Sequence, residues 1–220
     1  ALLYGGNGLG GAINFVTPTG RDASGFDARI DGGSFGYVRG QMSSGGAYGP
    51  ADYFVSGSGW RQDGYRDHSG GEGQRGSANI GYQFSPDFET RFYLNANTVR
   101  QRIPGEVTKD SALNSPTTAA PNNVANDWQR NIDTLRIASK STLRLDNTVI
   151  DFGLFGVDRH LMHPIFQWLD YRYVDYGGFV RAVDDRIIGG HRNRFTVGFN
   201  ILNGTIDANQ YANVGGQKGA

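Results

Sequence analysis

The sequence predicts an all-β chain that forms part of an antiparallel transmembrane β-barrel. Three observations predict it. Apolar and polar side chains alternate with period two over many segments. Tight-turn residues separate those segments. Short turns then alternate with long polar connections, as the two ends of a membrane barrel require. Successive side chains on a strand point to opposite faces, so alternation gives each strand one apolar and one polar face.

In order, the expected strands cover about 24–33, 35–45, 52–64, 75–84, 88–100, 131–144, 148–160, 174–185 and 192–203. In the first, Phe26, Ala28 and Ile30 alternate with Asp27, Arg29 and Asp31. The turn Gly45–Asp52 separates the second strand from the third. The third is less regular, because Phe54 and Trp60 share a face with Ser56 and Ser58. In the fourth, Ala78, Ile80, Tyr82 and Phe84 alternate with Ser77, Asn79, Gly81 and Gln83. Ser85-Pro86-Asp87 is a turn signal before the fifth. There Phe88, Thr90, Phe92, Leu94 and Ala96 alternate with Glu89, Arg91, Tyr93, Asn95 and Asn97. The sixth sets Leu135, Ile137 and Leu143 against Arg136, Lys140 and Arg144. After Asp146-Asn147, the seventh places Phe155 and Val157 on its otherwise polar face. Residues 189–193 turn the chain into the ninth, where Phe195, Val197, Phe199 and Ile201 alternate with Arg194, Thr196, Gly198 and Asn200. The long connections fall at about 62–74, 101–130, 161–173 and after 203.

Composition supports this reading. The chain has 34 Gly, 11 Tyr, 13 Phe and 3 Trp among 220 residues, a mixture that disfavours helices. Lys and Arg total 21 and Asp and Glu total 21, so no basic excess points to nucleic acid. The absence of Cys excludes disulfides and thiolate metal sites. No apolar run reaches the roughly 18 residues of a transmembrane helix, which leaves a barrel open. Ala1-Leu2-Leu3-Tyr4-Gly5 carries no basic n-region and runs into a Gly-rich stretch, so the chain reads as starting mid-protein.

Leu3-Tyr4-Gly5, followed by Gly10-Gly11-Ala12-Ile13-Asn14-Phe15-Val16-Thr17, resembles the plug-terminal motif of TonB-dependent outer-membrane receptors. Gly33-Ser34-Phe35-Gly36 resembles that family's first barrel hairpin. Asp52-Tyr53, Asp63-Gly64-Tyr65-Arg66 and Ser69 resemble its third strand and following loop. Ile103-Pro104-Gly105-Glu106-Val107-Thr108 resembles a loop segment of its ferric-siderophore and ferric-citrate branch, and Asp175-Tyr176-Gly177-Gly178 is a fainter echo. The resemblance implies that residues 1–20 end a plug domain and that residues 21–220 form the N-terminal part of a transmembrane barrel. It implies about nine strands out of the roughly 22 of plugged outer-membrane transporters. It further implies a Gram-negative outer membrane, membrane lipid as surroundings, a ferric-siderophore-type ligand, and TonB coupling through a segment upstream of this chain. Gly10-Gly11 suits close backbone packing, and Pro18 and Gly20 suit the exit into the barrel wall.

Other motifs lack the context their chemistry needs. Gly6-x-Gly8-x-x-Gly11 is followed by Ile13-Asn14-Phe15-Val16 and Pro18, a poor helix for a dinucleotide site. Gly32-x-Ser34-x-Gly36 precedes a strand, whereas a nucleophile elbow precedes a helix. His160 and His163, three apart on a strand, would face opposite sides, and Pro164 suggests a loop; no metal site is expected there. No enzymatic activity and no cofactor are expected. Ligand contacts are expected from Arg66, His68, Arg102, Arg159, Tyr171, Arg172 and Tyr173, in or beside the long connections. Arg presents a planar donor fork to carboxylates, and aromatics pack on chelating rings. Arg136, Lys140 and Arg144 are expected to pair with polar plug groups. The expected function is active import of a ferric chelate. The alternatives are a passive outer-membrane porin, which needs no plug motif, and a soluble secreted glycan-binding β-sandwich, which would bury its apolar face.

Overall fold

The computed structural model describes residues 16–220. Leu3, Tyr4, Gly5, Gly10, Gly11, Ile13 and Asn14 of the plug-like motif lie outside the described residues; Thr17 lies within them, one residue before Pro18.

The described chain is nearly all β. Nine antiparallel strands form one sheet in sequence order. They are β1 (Gly25–Gly32), β2 (Val38–Tyr48), β3 (Ala51–Gln62), β4 (Gly71–Ser85), β5 (Phe88–Arg102), β6 (Gln129–Leu145), β7 (Thr148–Pro164), β8 (Trp168–Ile188) and β9 (His191–Tyr211). Two short helices, α1 (Lys109–Asn114) and α2 (Pro121–Ala125), lie between β5 and β6. A small hairpin, β10 (Asn213–Val214) and β11 (Gln217–Lys218), follows β9.

All nine expected strands are present, and six, β4 to β9, are longer than their alternation suggested. β4 begins at Gly71 and β9 continues to Tyr211. The expected long connection at 161–173 is instead the end of β7, a turn at 165–167 and the start of β8. The reason is physical. In β7 and β8, Leu161-Met162 and Trp168-Leu169 put apolar side chains on both faces. The end of β9 turns polar on the face that carries apolar residues earlier in the strand. The alternation that marks the strands is therefore lost while the backbone ladder continues.

Loop lengths segregate by end. Two-residue turns at Gly49-Pro50, Pro86-Asp87, Asp146-Asn147 and Gly189-Gly190 close one end of the sheet. Gly189 and Gly190 both have positive φ, 61° and 81°, which matches the hairpin twist and favours glycine. The opposite end carries 33–37, 63–70, 103–128 and the short turn 165–167.

Burial is inverted relative to a water-soluble domain. Among the described residues the buried positions include Asp52, Asn79, Asn123, Asn131, Thr142 and Asp151, against Phe54 and Ala119 as buried apolar residues. Large apolar side chains are exposed instead, including Phe26, Ile30, Met42, Ile80, Phe92, Leu94, Ile137, Leu154, Phe199 and Ile201. Register places them on one face. Phe26 lies on a lateral row that runs through Ser44, Val55, Ala78, Leu94, Ile137, Gly156 and Tyr176 to Asn203. In β1 and β2 the large apolar residues extend from this row toward the longer loops, at Ile30 and Val38. In β9 they extend toward the two-residue turns, at Ile201, Phe199, Val197 and Phe195. The apolar band therefore crosses the strands obliquely, as a flat hydrocarbon layer crosses tilted strands. A sandwich would bury this face, and a soluble monomer rarely exposes so large a patch.

Aromatics gather on the apolar face near the two-residue turns. Tyr82 and Phe84 meet edge to face at 4.8 Å, and Phe84 and Phe88 stack at 5.3 Å. Such residues mark the interface rim of a membrane barrel.

Candidate ligand site at the long-loop end

The polar face is held by buried ionic groups. Arg91, on β5, donates to both carboxylate oxygens of Asp52 on β3, at 2.7 and 2.8 Å, and to Asn79 on β4 at 2.7 Å. The Asp52 side chain is 2% exposed and that of Arg91 11%. The same group anchors the segment entering β1. The Gly20 amide donates to Asp52 at 3.1 Å, Asn79 donates to the Pro18 carbonyl at 2.9 Å, and Arg21 lies 3.4 Å from Asp52. A Cβ on Gly20 would come within 2.2 Å of the Gly46 and Tyr53 carbonyl oxygens, so no other residue fits there. A second network joins Asp151 to Thr142, Arg181 and Lys140, at 2.7, 2.6 and 3.1 Å. Lys140 thus pairs with the wall itself, and Arg144 lies 3.6 Å from Glu89.

At the other end, three of the expected contact residues bind neighbouring loops. Arg66 Nε donates to the Thr118 carbonyl at 3.0 Å, while its Nη2 is buried without a hydrogen-bond acceptor among the described residues. His68 Nε2 lies 3.1 Å from the Trp128 carbonyl oxygen and 3.6 Å from Asp127. Arg102 also lies 3.6 Å from Asp127. Arg66 and His68 tie the 63–70 loop to the 103–128 loop, and Arg102 joins the end of β5 to the same Asp127. Local sequence explains the shape of the longer loop. Thr108 caps α1 by accepting from the Ser111 amide, Pro121 opens α2, and Gly105, with φ of 73°, lies against the Asn123 side chain.

Arg159, Tyr171 and Tyr173 come together on the polar face of β7 and β8. The Arg159 guanidinium lies 4.4 Å from the Tyr173 ring centroid, Tyr171 and Tyr173 meet edge to face at 6.5 Å, and Gln210 donates to the Tyr171 hydroxyl at 2.7 Å. Arg172 points to the opposite face, where its Nε donates to Asp158 at 3.1 Å. His160 and His163 both lie within β7, and Pro164 closes that strand instead of belonging to a loop. They face opposite sides, with His160 at 2.6 Å from Asp170.

Sequence reasoning missed the groups that join these parts. Asn213 donates to the Asn126 and Ile165 carbonyls at 2.9 and 2.7 Å, docking the β10–β11 hairpin over the loops. Lys218 reaches Asp170 at 2.8 Å, a hydrogen bond that raises the lysine pKa above its ordinary value. No local pattern marks Asp127 or Asn213, because their contacts lie in distant parts of the chain.

No protein-family model matches the chain. Solved structures match by fold. The unliganded ferric citrate transporter FecA matches with a TM-score of 0.71 at 14% identity, over 84% of this chain and 29% of that one. P. aeruginosa FpvA in an iron-loaded heterologous pyoverdine complex matches with a TM-score of 0.69 at 10% identity, over 88% and 31%. FpvAI in complex with pyocin S2 matches with a TM-score of 0.68 at 11% identity, over 86% and 28%. The chain spans under a third of the length of these proteins. In fold, its nine antiparallel strands resemble the β-barrel of TonB-dependent receptors.

Proposed function

We propose that this chain forms part of the wall of an outer-membrane receptor that actively imports a ferric chelate under TonB control. The observation that carries the reading is the inverted sheet. An oblique apolar band covers one face, while the other buries Asp52, Asn79 and Asp151 in ionic networks. Acyl chains meet the first face, and the second lines a conduit filled by the plug, whose C-terminal end is residues 1–20. The long-loop end then faces outward and the two-residue turns face the periplasm. Similarity to a ferric citrate transporter and to a pyoverdine-bound receptor supports an iron chelate as cargo.

On this reading Arg159, Tyr171 and Tyr173 contact the chelate, while Arg66 ties the 63–70 loop to the Thr118 carbonyl. His68 and Arg102 hold the 103–128 loop at Asp127. No bond-making step is involved: the residues bind and orient the chelate, and energy from the inner membrane releases the plug. β1 and β9 leave ladder groups unpaired in this sheet, and hydrocarbon does not tolerate an open edge, so further strands complete the barrel.

The test is uptake of radio-iron by cells that carry the full-length receptor and lack their own. Accumulation from a ferric chelate that stops when the proton gradient is collapsed, or when TonB is deleted, supports the reading. Gradient-independent passage of iron and of unrelated small solutes identifies a passive pore and refutes it.

A further inference from the structure

We propose that the apolar face carries a seat for one membrane phospholipid: a trough along β8 that takes an acyl chain and ends at an ion pair matched to a zwitterionic headgroup with a primary ammonium. The proposal rests on the membrane reading above, not on the cargo, and names the lipid class that this part of the wall selects. The trough is a cavity of about 490 Å³. Phe152 and Leu154 of β7 and Phe199 and Ile201 of β9 line it, with Gly178 and Val180 of β8 between them.

Register and side-chain size build the trough. Leu154, Gly178 and Ile201 stand in one lateral row, and Phe152, Val180 and Phe199 in the next. The row nearer the two-residue turns is Ile150, Ala182 and Val197. In each row the β8 residue is smaller than both neighbours, so two ridges flank a low floor. A Cβ on Gly178 would come within 2.9 Å of Leu154 Cδ2, so glycine keeps the floor open. Toward the long loops, Tyr176 stands between Gly156 and Asn203 and closes the trough. Toward the turns, the row beyond Ala182 is Thr148, Asp184 and Phe195, and the trough opens there at Asp184.

Depth and charge point to the occupant. Gly178 to Asp184 spans about 20 Å of strand. At the roughly 45° tilt of a membrane strand this is about 14 Å of depth, close to half of a ~30 Å hydrocarbon core. An acyl chain whose headgroup sits at the mouth therefore fills the trough to its closed end. The serines beside the trough have partners of their own. Ser141 shares a hydrogen bond with Thr90 at 2.9 Å, and Ser139 accepts from the Leu154 amide at 3.3 Å. At the mouth Arg186 Nε and the Thr148 hydroxyl each donate to Asp184 at 2.6 Å. The Asp184–Arg186 pair has no net charge. A purely anionic headgroup gains Arg186 but is opposed by Asp184. A headgroup with a phosphate and a primary ammonium meets both, because its N–H groups donate to Asp184 while Arg186 donates to the phosphate. A quaternary ammonium has no N–H to give. The Arg172–Asp158 pair lies beyond Tyr176 and does not open onto the trough.

The experiment is native mass spectrometry of the full-length receptor in detergent, titrated with one lipid at a time. The probes are phosphatidylethanolamine, phosphatidylcholine and phosphatidylglycerol with identical chains. The wild type is expected to retain one lipid, with phosphatidylethanolamine held about threefold more tightly than either of the others. Gly178→Leu and Ala182→Phe fill the trough at different depths, and each is expected to lose that lipid. Asp184→Asn is expected to remove the preference over phosphatidylglycerol. Ala78→Phe, on the same face of β4, is expected to change nothing. Near-ultraviolet circular dichroism checks that each variant is folded. No retained lipid, equal binding of the three headgroups, an unchanged preference in Asp184→Asn, or retention by a folded filled variant overturns the proposal. A full-length receptor that stays monomeric and dispersed without detergent overturns the membrane reading and the proposal with it. Failure of gradient-driven uptake overturns the import reading alone and leaves the lipid seat standing.

Discussion

Arg172 and Tyr173 are consecutive residues of β8 and stand on opposite faces of the sheet. Arg172 donates to Asp158 on the apolar side, beyond the band, while Tyr173 lies under the Arg159 guanidinium on the polar side. Chelate binding should therefore separate them. Arg159→Ala and Tyr173→Ala are each expected to raise the dissociation constant about tenfold, through loss of a charged donor or a stacking ring. Arg172→Ala should leave it unchanged. Isothermal titration with the full-length receptor measures all three, and a large effect of Arg172→Ala alone would reverse the facial assignment.

Asp52 and Arg91 form a two-point ion pair that also holds the entering segment. Asp52→Ala leaves a buried guanidinium with only Asn79 as acceptor, and Arg91→Ala leaves a buried carboxylate. Each should cost about 3–5 kcal/mol. The double variant should cost less than the sum, because both single changes remove one shared interaction. Urea unfolding of the receptor in lipid vesicles measures the differences. Additive losses would show that the pair does not act as a unit.

The two faces of β9 should respond oppositely to charge. Phe199 lies in the apolar band, while Asn200, the next residue, lies on the polar face. Phe199→Arg should destabilise the inserted barrel by about 2–4 kcal/mol, the cost of a cation in the hydrocarbon. Asn200→Arg should cost under about 1 kcal/mol. Comparable losses at both positions, read from vesicle unfolding, would contradict the oblique band.

Gly105 has φ of 73° and lies against Asn123, whose Nδ2 donates to the Ile103 carbonyl at 3.1 Å. Gly105→Ala should strain the backbone and push Asn123 aside, costing about 1–2 kcal/mol in the 103–128 loop. Limited proteolysis should then cut that loop roughly tenfold faster while strand fragments stay protected. Unchanged cutting would show that the loop takes no support from this contact.

The sheet was legible where apolar and polar side chains alternate. Alternation in Phe26–Asp31, Ala78–Phe84 and Phe88–Asn97 located β1, β4 and β5, and Asp146-Asn147 located the turn before β7. The end of β7 after 160, the start of β8 before 174 and the end of β9 after 203 were illegible, since residues such as His163, Arg172 and Asn209 lie beyond the apolar band. Both faces meet polar surroundings there, and no period survives. Candidate contact residues were legible as a class, from Arg and Tyr near the long connections. Their grouping was not: Arg66, His68 and Arg102 meet loop carbonyls and Asp127, and the trough over Gly178 went unnoticed because its walls come from β7 and β9.

By itself the sequence determined the class of fold, the nine strands of the main sheet and which side chains lie on its apolar face, because the alternation on each strand acts one residue at a time. Only the tertiary structure decided how far the strands run, that Asp52 meets Arg91 and the Gly20 amide, and that Leu154 and Ile201 flank Gly178. Those contacts depend on lateral register between strands, which backbone pairing across the whole sheet sets and no local stretch of residues encodes.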